Sequence, residues 1–485
     1  MMIKLNPSLQ NSNISTANSL IFNSIKIVIN VLFPFMIIPY ISRILTVEQI
    51  GMYNWDLSII NYLVVLAGLS LPIIGIKEIG LVKKDPKKIS LIINNIFIIK
   101  FFTIFIASII LLGMAYFQKV DGNGLILIIL SLIMIIEIIA HEWVYIAFGD
   151  HKSILLRNFI SKIILLVCTF TFIKSEDDFL LFIAIYTIAA IIPFIISYKY
   201  LFVKFKPQYI NFKDIKYINI STLKSFSISL LMAFYGKFDV VILGFILSSK
   251  DLGLFTSAYK LVMLALVFIT TWSMVLLPKS SQLYKEDEKK YIEFIGKSLD
   301  LVLVFGLFIT ITLIMYSKNI VLLIFGDKFY EAYYMINYLA PITVLLSLYN
   351  VFIFQILYIE NKYEKVIKFY LFIYIIFIGL ILLDIFILEQ ILFSILLMNI
   401  IQFIYTWYLV NQIYAVRLFD NNKIKIYSVT VFIISIFFLI TRFKLLNILN
   451  FSIYLMLTTI FYFGLLLLLK ENISSLIFKK LRGKE

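Results

Sequence analysis

The chain is dominated by apolar segments of about 20 residues that follow one another from about residue 18 to residue 470, with short polar loops between them. Hydrophobic residues make up 62% of the 485, and few segments have a polar face that could meet water. Segments of about 18 or more apolar residues match a hydrocarbon layer about 30 Å thick, at a rise of about 1.5 Å per residue. The sequence therefore predicts an all-α polytopic membrane protein.

Fourteen of these segments are candidate transmembrane helices. They cover residues 18–41, 54–76, 89–116, 124–148, 153–173, 179–198, 222–247, 254–278, 294–316, 333–359, 366–388, 390–415, 426–441 and 447–469. The thirteenth has only fifteen residues, Ile426 to Ile440, before Arg442. If the last two segments form a hairpin that does not span, the count falls to twelve, so we predict 12–14 helices.

The basic residues give the orientation. With the N-terminus in the cytoplasm, 30 of the 43 Lys and Arg residues fall in inside segments and eight in outside loops. This bias follows the positive-inside rule and predicts cytoplasmic N- and C-termini. The net charge of +15 is then explained by helix ends that face anionic headgroups, so nucleic acid is not an expected partner and membrane lipids are.

A ten-residue stretch recurs once in the sequence. Ile44–Tyr53 and Ile246–Phe255 share three identical and four similar residues, at an offset of 202 that spans six predicted helices. Chance similarity in a chain rich in Ile and Leu is the alternative. A repeat of this kind predicts two halves of the same orientation around a central site. We predict an N-lobe over 1–205 (helices 1–6), a C-lobe over 206–416 (helices 7–12), and a C-terminal helix pair with a basic tail over 417–485.

Charged residues inside predicted helices are candidate site residues, because a charge at the bilayer centre costs about 2.5–3.5 kcal/mol on insertion scales. Six of them are Lys26, Lys100, Glu137, Lys237, Asp239 and Lys260. Lysines outnumber carboxylates, which predicts a positive cavity that binds an anionic substrate through Lys26, Lys100, Lys237 and Lys260. Snorkelling of the lysine side chains to the headgroups is the alternative.

Glu137, His141 and Glu142 form a second group in the fourth predicted helix. Glu137 and His141 are expected to share a helix face at i, i+4, and histidine titrates near neutral pH. Glu137 and His141, together with Asp239, have either a coupling role or a structural one. The pattern lacks the second histidine of a zinc-protease helix, and no phosphate-binding loop or nucleophile motif occurs. We therefore predict that the protein is not an enzyme and that it has no catalytic residue, metal or cofactor. Asp300 lies nearer a helix end, where solvation is the default.

Three stretches carry a family resemblance. They are Phe33–Leu45, which includes Pro39-Tyr40-Ile41-Ser42-Arg43, then Gly75-Ile76-Lys77-Glu78-Ile79, and Leu252–Leu261. With these motifs the chain resembles the Wzx-type polysaccharide flippases of the multidrug/oligosaccharidyl-lipid/polysaccharide exporter superfamily. The resemblance implies two pseudo-symmetric six-helix bundles that form a V-shaped central cavity with alternating access. It also implies cavity lysines at Lys260 and, with a looser alignment, at Lys26.

The implied cargo is an undecaprenyl-pyrophosphate-linked oligosaccharide repeat unit of O-antigen, capsule or a related glycan. It would move from the cytoplasmic to the outer leaflet of a bacterial inner membrane, with a polysaccharide polymerase and a chain-length regulator as candidate partners. A lipid II flippase is an alternative within the same fold, and so is a drug/cation antiporter, although that would favour cavity carboxylates. A polytopic polysaccharide polymerase or ligase is the alternative from another class.

Overall fold

The computed structural model describes most of the chain, and the described part contains helices and no strand. The described residues are 12–68, 71–82, 85–119, 124–139, 141–204, 240–360, 362–382, 388–414, 416, 420–442 and 451–469. The all-α prediction is confirmed. The chain divides into two compact units, Met1–Gly253 and Leu254–Glu485.

The first unit contains eight helices among the residues that are described. They are α1 (Ser12–Ile44), α2 (Val47–Gly68), α3 (Leu71–Leu81), α4 (Pro86–Lys119), α5 (Gly124–Ile136), α6 (Glu142–Ala147), α7 (His151–Phe172) and α8 (Phe179–Lys204). A 3₁₀ turn over Glu137–Ile139 follows α5. Helix α1 packs against α7, α7 against α8, α5 against α2, α4 and α8, and α3 against α6. The side chains discussed below therefore belong to helices that touch.

Helix α9 (Ser249–Glu286) begins in the first unit and continues into the second. The remaining helices are α10 (Glu288–Met315), α11 (Ser317–Ile324), α12 (Ala332–Leu339), α13 (Pro341–Asn350), α14 (Tyr363–Leu382), α15 (Leu388–Asn411), α16 (Asn421–Arg442) and α17 (Phe451–Leu468). A π-helical stretch, Val351–Leu357, extends α13. Helix α10 packs against α13 and α16, α13 against α15, and α16 against α17. Helices α16 and α17, which fall in the predicted C-terminal segment, thus pack inside the second unit.

Eight stretches of the described chain are long and apolar enough to span a membrane. They are Val47–Gly68, Lys87–Tyr116, Gly124–Ala147, His151–Phe172, Glu176–Tyr198, Glu288–Met315, Ala332–Leu357 and Leu388–Asn411. Shorter apolar helices cover Leu32–Ile44 and Tyr454–Leu468, and most of the predicted seventh span, 222–247, lies outside the described residues. The protein is a multi-pass membrane protein.

The outward faces of the helices carry large apolar side chains, as hydrocarbon requires. On α4, Phe101, Phe105, Ile106 and Ile109 are each about half exposed. A soluble monomer rarely exposes a contiguous patch of this kind, whereas lipid tails are as apolar as these side chains. Helix α4 is therefore apolar on its lipid side as well as on its packed side, which is typical of a membrane helix.

Two predicted spans differ from single helices of the predicted bounds. Of the span over 54–76, residues up to Gly68 belong to α2 and residues from Leu71 belong to α3. The span over 124–148 changes from α-helix to a 3₁₀ turn at Glu137, and His141 has a non-helical backbone with φ −118° and ψ 32°. Glu137 and His141 therefore do not share the face of one α-helix as expected.

The recurring sequence stretch forms the same local structure twice. Thr46 and Gln49 form a reciprocal cap at the start of α2. The backbone N–H of Gln49 donates to Thr46 Oγ1 at 3.2 Å, and the backbone N–H of Thr46 donates to Gln49 Oε1 at 2.9 Å. At the start of α9, the Asp251 amide donates to Ser248 Oγ at 3.1 Å and that hydroxyl donates to Asp251 Oδ2 at 2.6 Å. Both caps satisfy backbone donors that a helix N-terminus leaves without partners. The two caps stand at equivalent positions, 202 residues apart.

Candidate functional site

The first unit holds a group of charged side chains on five helical segments. We call it the charge network and define it as Lys26, Lys100, Glu137, Glu142 and Arg157. Four of the five lie in stretches that are long and apolar enough to span a membrane, and Lys26 lies on α1. Charged residues at such positions are by default candidates for a functional site.

Glu142 is the centre of the first part of the network. Its Oε1 lies 2.7 Å from the Lys26 ammonium, and its Oε2 lies 3.4 Å from Arg157 Nη2. Lys26 comes from α1, Glu142 from the first turn of α6, and Arg157 from α7. One carboxylate therefore bridges two cations on two other helices. Lys26 and Glu142 are each about 30% exposed, so solvent or a ligand reaches this pair.

Arg157 is held much more firmly than Lys26. Its side chain is only 3% exposed, its guanidinium carbon lies 4.4 Å from the centre of the Tyr145 ring, and its Nη1 donates to Ser197 Oγ. Arginine stacks on aromatic faces because its guanidinium is planar and weakly hydrated. Its Nε, however, is buried and has no hydrogen-bond partner among the described residues. One edge of the guanidinium fork is thus only partly used.

Lys100 and Glu137 form the second part of the network. The Lys100 ammonium lies 3.0 Å from Glu137 Oε1 and also donates to the Glu137 backbone oxygen at 3.1 Å. Lys100 is 1% exposed, so a lysine with no counter-charge would be very costly here. The 3₁₀ turn that starts at Glu137 turns this backbone oxygen toward the lysine. The break in the helix and the buried ion pair therefore occur together.

The geometry of α6 is set by tight packing on α3. Trp143 is buried, and its ring lies where a side chain on Gly75 would have to be. His141, the residue before α6, is also buried, between the Phe97 and Trp143 rings, and its Nδ1 has no hydrogen-bond partner in the described part of the chain. Glycine at position 75 allows this close approach, and it thereby places Glu142 opposite Lys26.

The network contains three cations and two carboxylates, which leaves one positive charge in excess when all five are ionised. Both carboxylates are already paired with a lysine. A buried charge in excess needs an anion to balance it. The arrangement can therefore bind an anion.

The structure places the predicted site residues unequally. Lys26, Lys100 and Glu137 belong to the charge network, and His141 adjoins it. Lys260 lies half-buried on α9, in the second unit. Lys237 and Asp239 lie outside the described residues.

Arg157 was not among the predicted site residues, whereas Glu142 was predicted only as a neighbour of Glu137 and His141. In the sequence, Arg157 follows Lys152 near the start of a span, so it counts as an inside-facing charge at a helix end. The one available signal was its position inside an apolar segment. This signal was not decisive, because a headgroup-facing arginine and a buried one give the same sequence pattern. Only the packing of α6 and α8 on α7 distinguishes the two.

The fold is similar to two solved membrane proteins. One is titled "Lipid II flippase MurJ, inward closed conformation", with a TM-score of 0.64 and 15% identity over 96% of this chain and 99% of that chain. The other is described as the inward-facing conformation of a multidrug resistance MATE family transporter of the MOP superfamily. It has a TM-score of 0.60 and 13% identity over 81% of this chain and 97% of that chain. At these identities the likeness shows a common fold, and it confirms the expected fold class.

Sequence comparison gives the family. No curated protein matches this chain. A family model described as "Polysaccharide biosynthesis protein" matches residues 16–284, more than half of the chain. The matched region includes most of α1, all of α2 to α8, the charge network and both copies of the recurring stretch. The chain belongs to this polysaccharide biosynthesis protein family.

Proposed function

We propose that this protein is a flippase for a lipid-linked oligosaccharide. Its substrate would be an undecaprenyl-pyrophosphate-linked repeat unit of O-antigen, capsule or a related glycan. The protein would move it from the cytoplasmic to the periplasmic leaflet of a bacterial inner membrane by alternating access. Membership in a polysaccharide biosynthesis family supports the glycan, and the similar folds of a flippase and a transporter support the transport.

The observation that carries the proposal is the cationic excess of the charge network. A pyrophosphate cannot enter a low-dielectric region unless cations replace its hydration. Lys26 supplies a charge-assisted donor at the accessible side of the network, and Arg157 and Lys100 supply two further cations in its buried part. We further propose Lys237 and Lys260 as substrate-binding cations of the other half. Glu137, His141 and Asp239 would serve coupling or structure.

The remaining expectations from the sequence belong to the same proposal. The N-lobe (1–205) and C-lobe (206–416) would form the two bundles around the substrate, and the segment 417–485 would be an appendix. Both termini would be cytoplasmic, and the protein would carry out transport without bond chemistry. A polysaccharide polymerase and a chain-length regulator would receive the translocated unit.

A lipid II flippase is the second candidate function. It is favoured by the similarity to a solved lipid II flippase, which this chain matches over 99% of that protein's length. Both lipids carry the same polyprenyl diphosphate, so the charge network suits either. The family model favours the polysaccharide substrate, because its description names polysaccharide biosynthesis.

The experiment measures on which side of the membrane lipid-linked sugars accumulate in cells that lack this protein. Both the repeat unit and lipid II are labelled from the periplasm by a membrane-impermeant reagent. Complementation uses the wild type, Lys26→Ala, Lys100→Ala, Lys260→Ala and Arg157→Lys, with Lys162→Gln as a control on α7, each at matched membrane expression. We expect the repeat unit to accumulate inside and the cavity variants to fail to restore its export.

Accumulation of lipid II instead would establish the second candidate. If both lipids reach the periplasm normally and the glycan remains unpolymerised, the flippase proposal is wrong and a polymerase replaces it. Rescue by every well-expressed cation variant would contradict the role of the charge network.

A further inference from the structure

The contact between Glu142 and Arg157 is incomplete in a way that points to an exchangeable ligand. Arginine binds an oxyanion best when two parallel N–H groups on one edge of the guanidinium donate together. Nε and Nη2 form one such edge of the Arg157 guanidinium. Nη2 lies 3.4 Å from the carboxylate, and Nε has no hydrogen-bond partner among the described residues. Glu142 therefore occupies this edge only in part.

The surroundings of Arg157 fix the guanidinium and leave its buried Nε without a hydrogen bond among the described residues. Nη1 is held by Ser197, whose hydroxyl in turn donates to the Pro193 backbone oxygen at 2.7 Å, and the guanidinium plane rests on Tyr145. Positioning of this kind lowers the entropic cost of binding, because the fork does not need to be ordered by its ligand. Arg157 is thus a rigid donor, and the Nε–H on one edge of its guanidinium has no acceptor among the described residues.

Glu142 itself is the more movable partner. Its side chain is 29% exposed, and it lies on α6, a six-residue helix that follows the break at Glu137–His141. Lys26, on its other side, is 30% exposed and has four rotatable carbons. The carboxylate thus lies between two cations at a position that solvent reaches.

We propose that Glu142 is an internal counter-ion that the diphosphate of the substrate displaces. The diphosphate would then bind between the Lys26 ammonium and the Nε–Nη2 edge of Arg157. In the absence of substrate, Glu142 pairs with both cations and keeps α1, α6 and α7 together. This inference rests on the proposed function, since it takes a polyprenyl diphosphate as the ligand. It assigns Arg157 as a substrate-contacting residue and Glu142 as a competitor for the same site.

The test measures binding of farnesyl diphosphate, a short polyprenyl diphosphate, to the purified full-length protein in lipid nanodiscs. Glu142→Gln keeps the size of the side chain and removes its charge. We expect it to bind at least about tenfold tighter, because a competing charge some 4 Å away is lost. Lys26→Gln and Arg157→Lys should bind at least about tenfold more weakly. The first removes a positive charge, and the second keeps the charge but removes the paired N–H donors of the guanidinium. Lys162→Gln, on the same helix α7, should bind like the wild type.

Thermal unfolding of the same samples shows whether each variant is folded and separates this role from a purely structural ion pair. We expect Glu142→Gln to unfold at a lower temperature than the wild type without ligand. Farnesyl diphosphate should raise the unfolding temperature of Glu142→Gln by more than it raises that of the wild type. If folded Glu142→Gln binds no tighter than the wild type, the proposal is overturned. Equal binding of farnesyl monophosphate and diphosphate would overturn it as well.

Failure of the counter-ion inference can be distinguished from failure of the flippase proposal. If the repeat unit accumulates inside cells that lack the protein while Glu142→Gln binds like the wild type, the flippase stands and the counter-ion inference fails. If Glu142→Gln binds tighter while the repeat unit reaches the periplasm normally without the protein, the anion site stands and the flippase proposal fails.

Discussion

Gly51 lies directly against the backbone oxygen of Ser249, and Gly253 lies in the same way against the backbone oxygen of Val47. A methyl group on either glycine would come within 2.1 Å of the facing oxygen. The two contacts are reciprocal, since Val47 and Ser249 are equivalent positions of the recurring stretch, as are Gly51 and Gly253. The repeat is therefore a physical pairing of α2 with the start of α9, and glycine is needed at both crossing points.

Gly51→Ala and Gly253→Ala should each destabilise the protein by about 1–3 kcal/mol, because the added methyl group forces two backbones apart. Unfolding of the purified protein, followed by circular dichroism or by dye binding to exposed cysteine, measures the loss. Gly113→Ala is the matched control, since Gly113 lies on helix α4 with open space around it. If Gly51→Ala and Gly253→Ala are both as stable as Gly113→Ala, the close approach of the two backbones is contradicted.

Lys100→Met should be among the most destabilising single changes in the first unit, by about 3–5 kcal/mol, because it leaves Glu137 with no cation. Glu137→Gln should be similarly costly. The double variant Lys100→Met/Glu137→Gln should recover part of the loss, since no unpaired charge remains. A double-mutant cycle of unfolding free energies measures the coupling. The exposed pair Lys297 and Glu293 on α10 is the control, and additive effects at Lys100 and Glu137 would show that the buried pair is not coupled.

Gly149 connects α6 to α7 with φ +71°, and nothing within 4 Å would obstruct a methyl group. Gly149→Ala therefore tests backbone strain alone, and we expect a loss of about 1–2 kcal/mol. Gly149→Asn should cost less, because asparagine tolerates the left-handed region. Stability and farnesyl diphosphate binding should fall together, since this turn sets the position of Glu142 relative to Arg157. Equal stability of the alanine and asparagine variants would exclude strain as the cause.

Lys423 joins α16 to α10, and its removal should loosen the C-terminal helix pair. It lies 3.3 Å from Asp300 and also pairs with Asp420, and it is 5% exposed. Lys423→Met leaves Asp300 buried and without its cation, at a cost of order 3 kcal/mol. Limited proteolysis after α15 should become faster, whereas the exposed Lys289→Met should have no effect. Unchanged proteolysis would mean that apolar packing alone holds α16.

The same junction should weaken in acid. Partial burial raises the pKa of the Asp420 carboxyl, but hydrogen bonds from Lys423 and the backbone outweigh this and hold the pKa below its ordinary value. The ionised carboxylate is therefore favoured by folding. Its stabilisation is present above the ordinary pKa and is lost as the pH falls through the lowered one. The melting temperature should decline below about pH 4 less steeply in Asp420→Asn than in the wild type, and parallel curves would contradict this.

Several features were accessible from the sequence because they depend on composition. The apolar segments predicted the membrane helices, and the recurring stretch marked Gly51 and Gly253 as equivalent positions, although not that they are in contact. The break after Ile136 was not accessible, because the segment is apolar on every side and its pattern is the same for a straight helix and a broken one. Asp300 was expected to be solvated at a helix end, yet it is buried, since Lys423 from a distant helix neutralises it. Pairing across helices is a tertiary property that no local pattern records.

The buried ion pair also has a consequence for synthesis. Lys100 lies on α4, and its carboxylate partner emerges from the ribosome 37 residues later. At about 5–20 residues per second, α4 is without its counter-charge for roughly 2–7 s. A lone lysine resists entry into the bilayer by about 2.5–3.5 kcal/mol. Helices α4 and α5 should therefore leave the translocation channel together, as a hairpin.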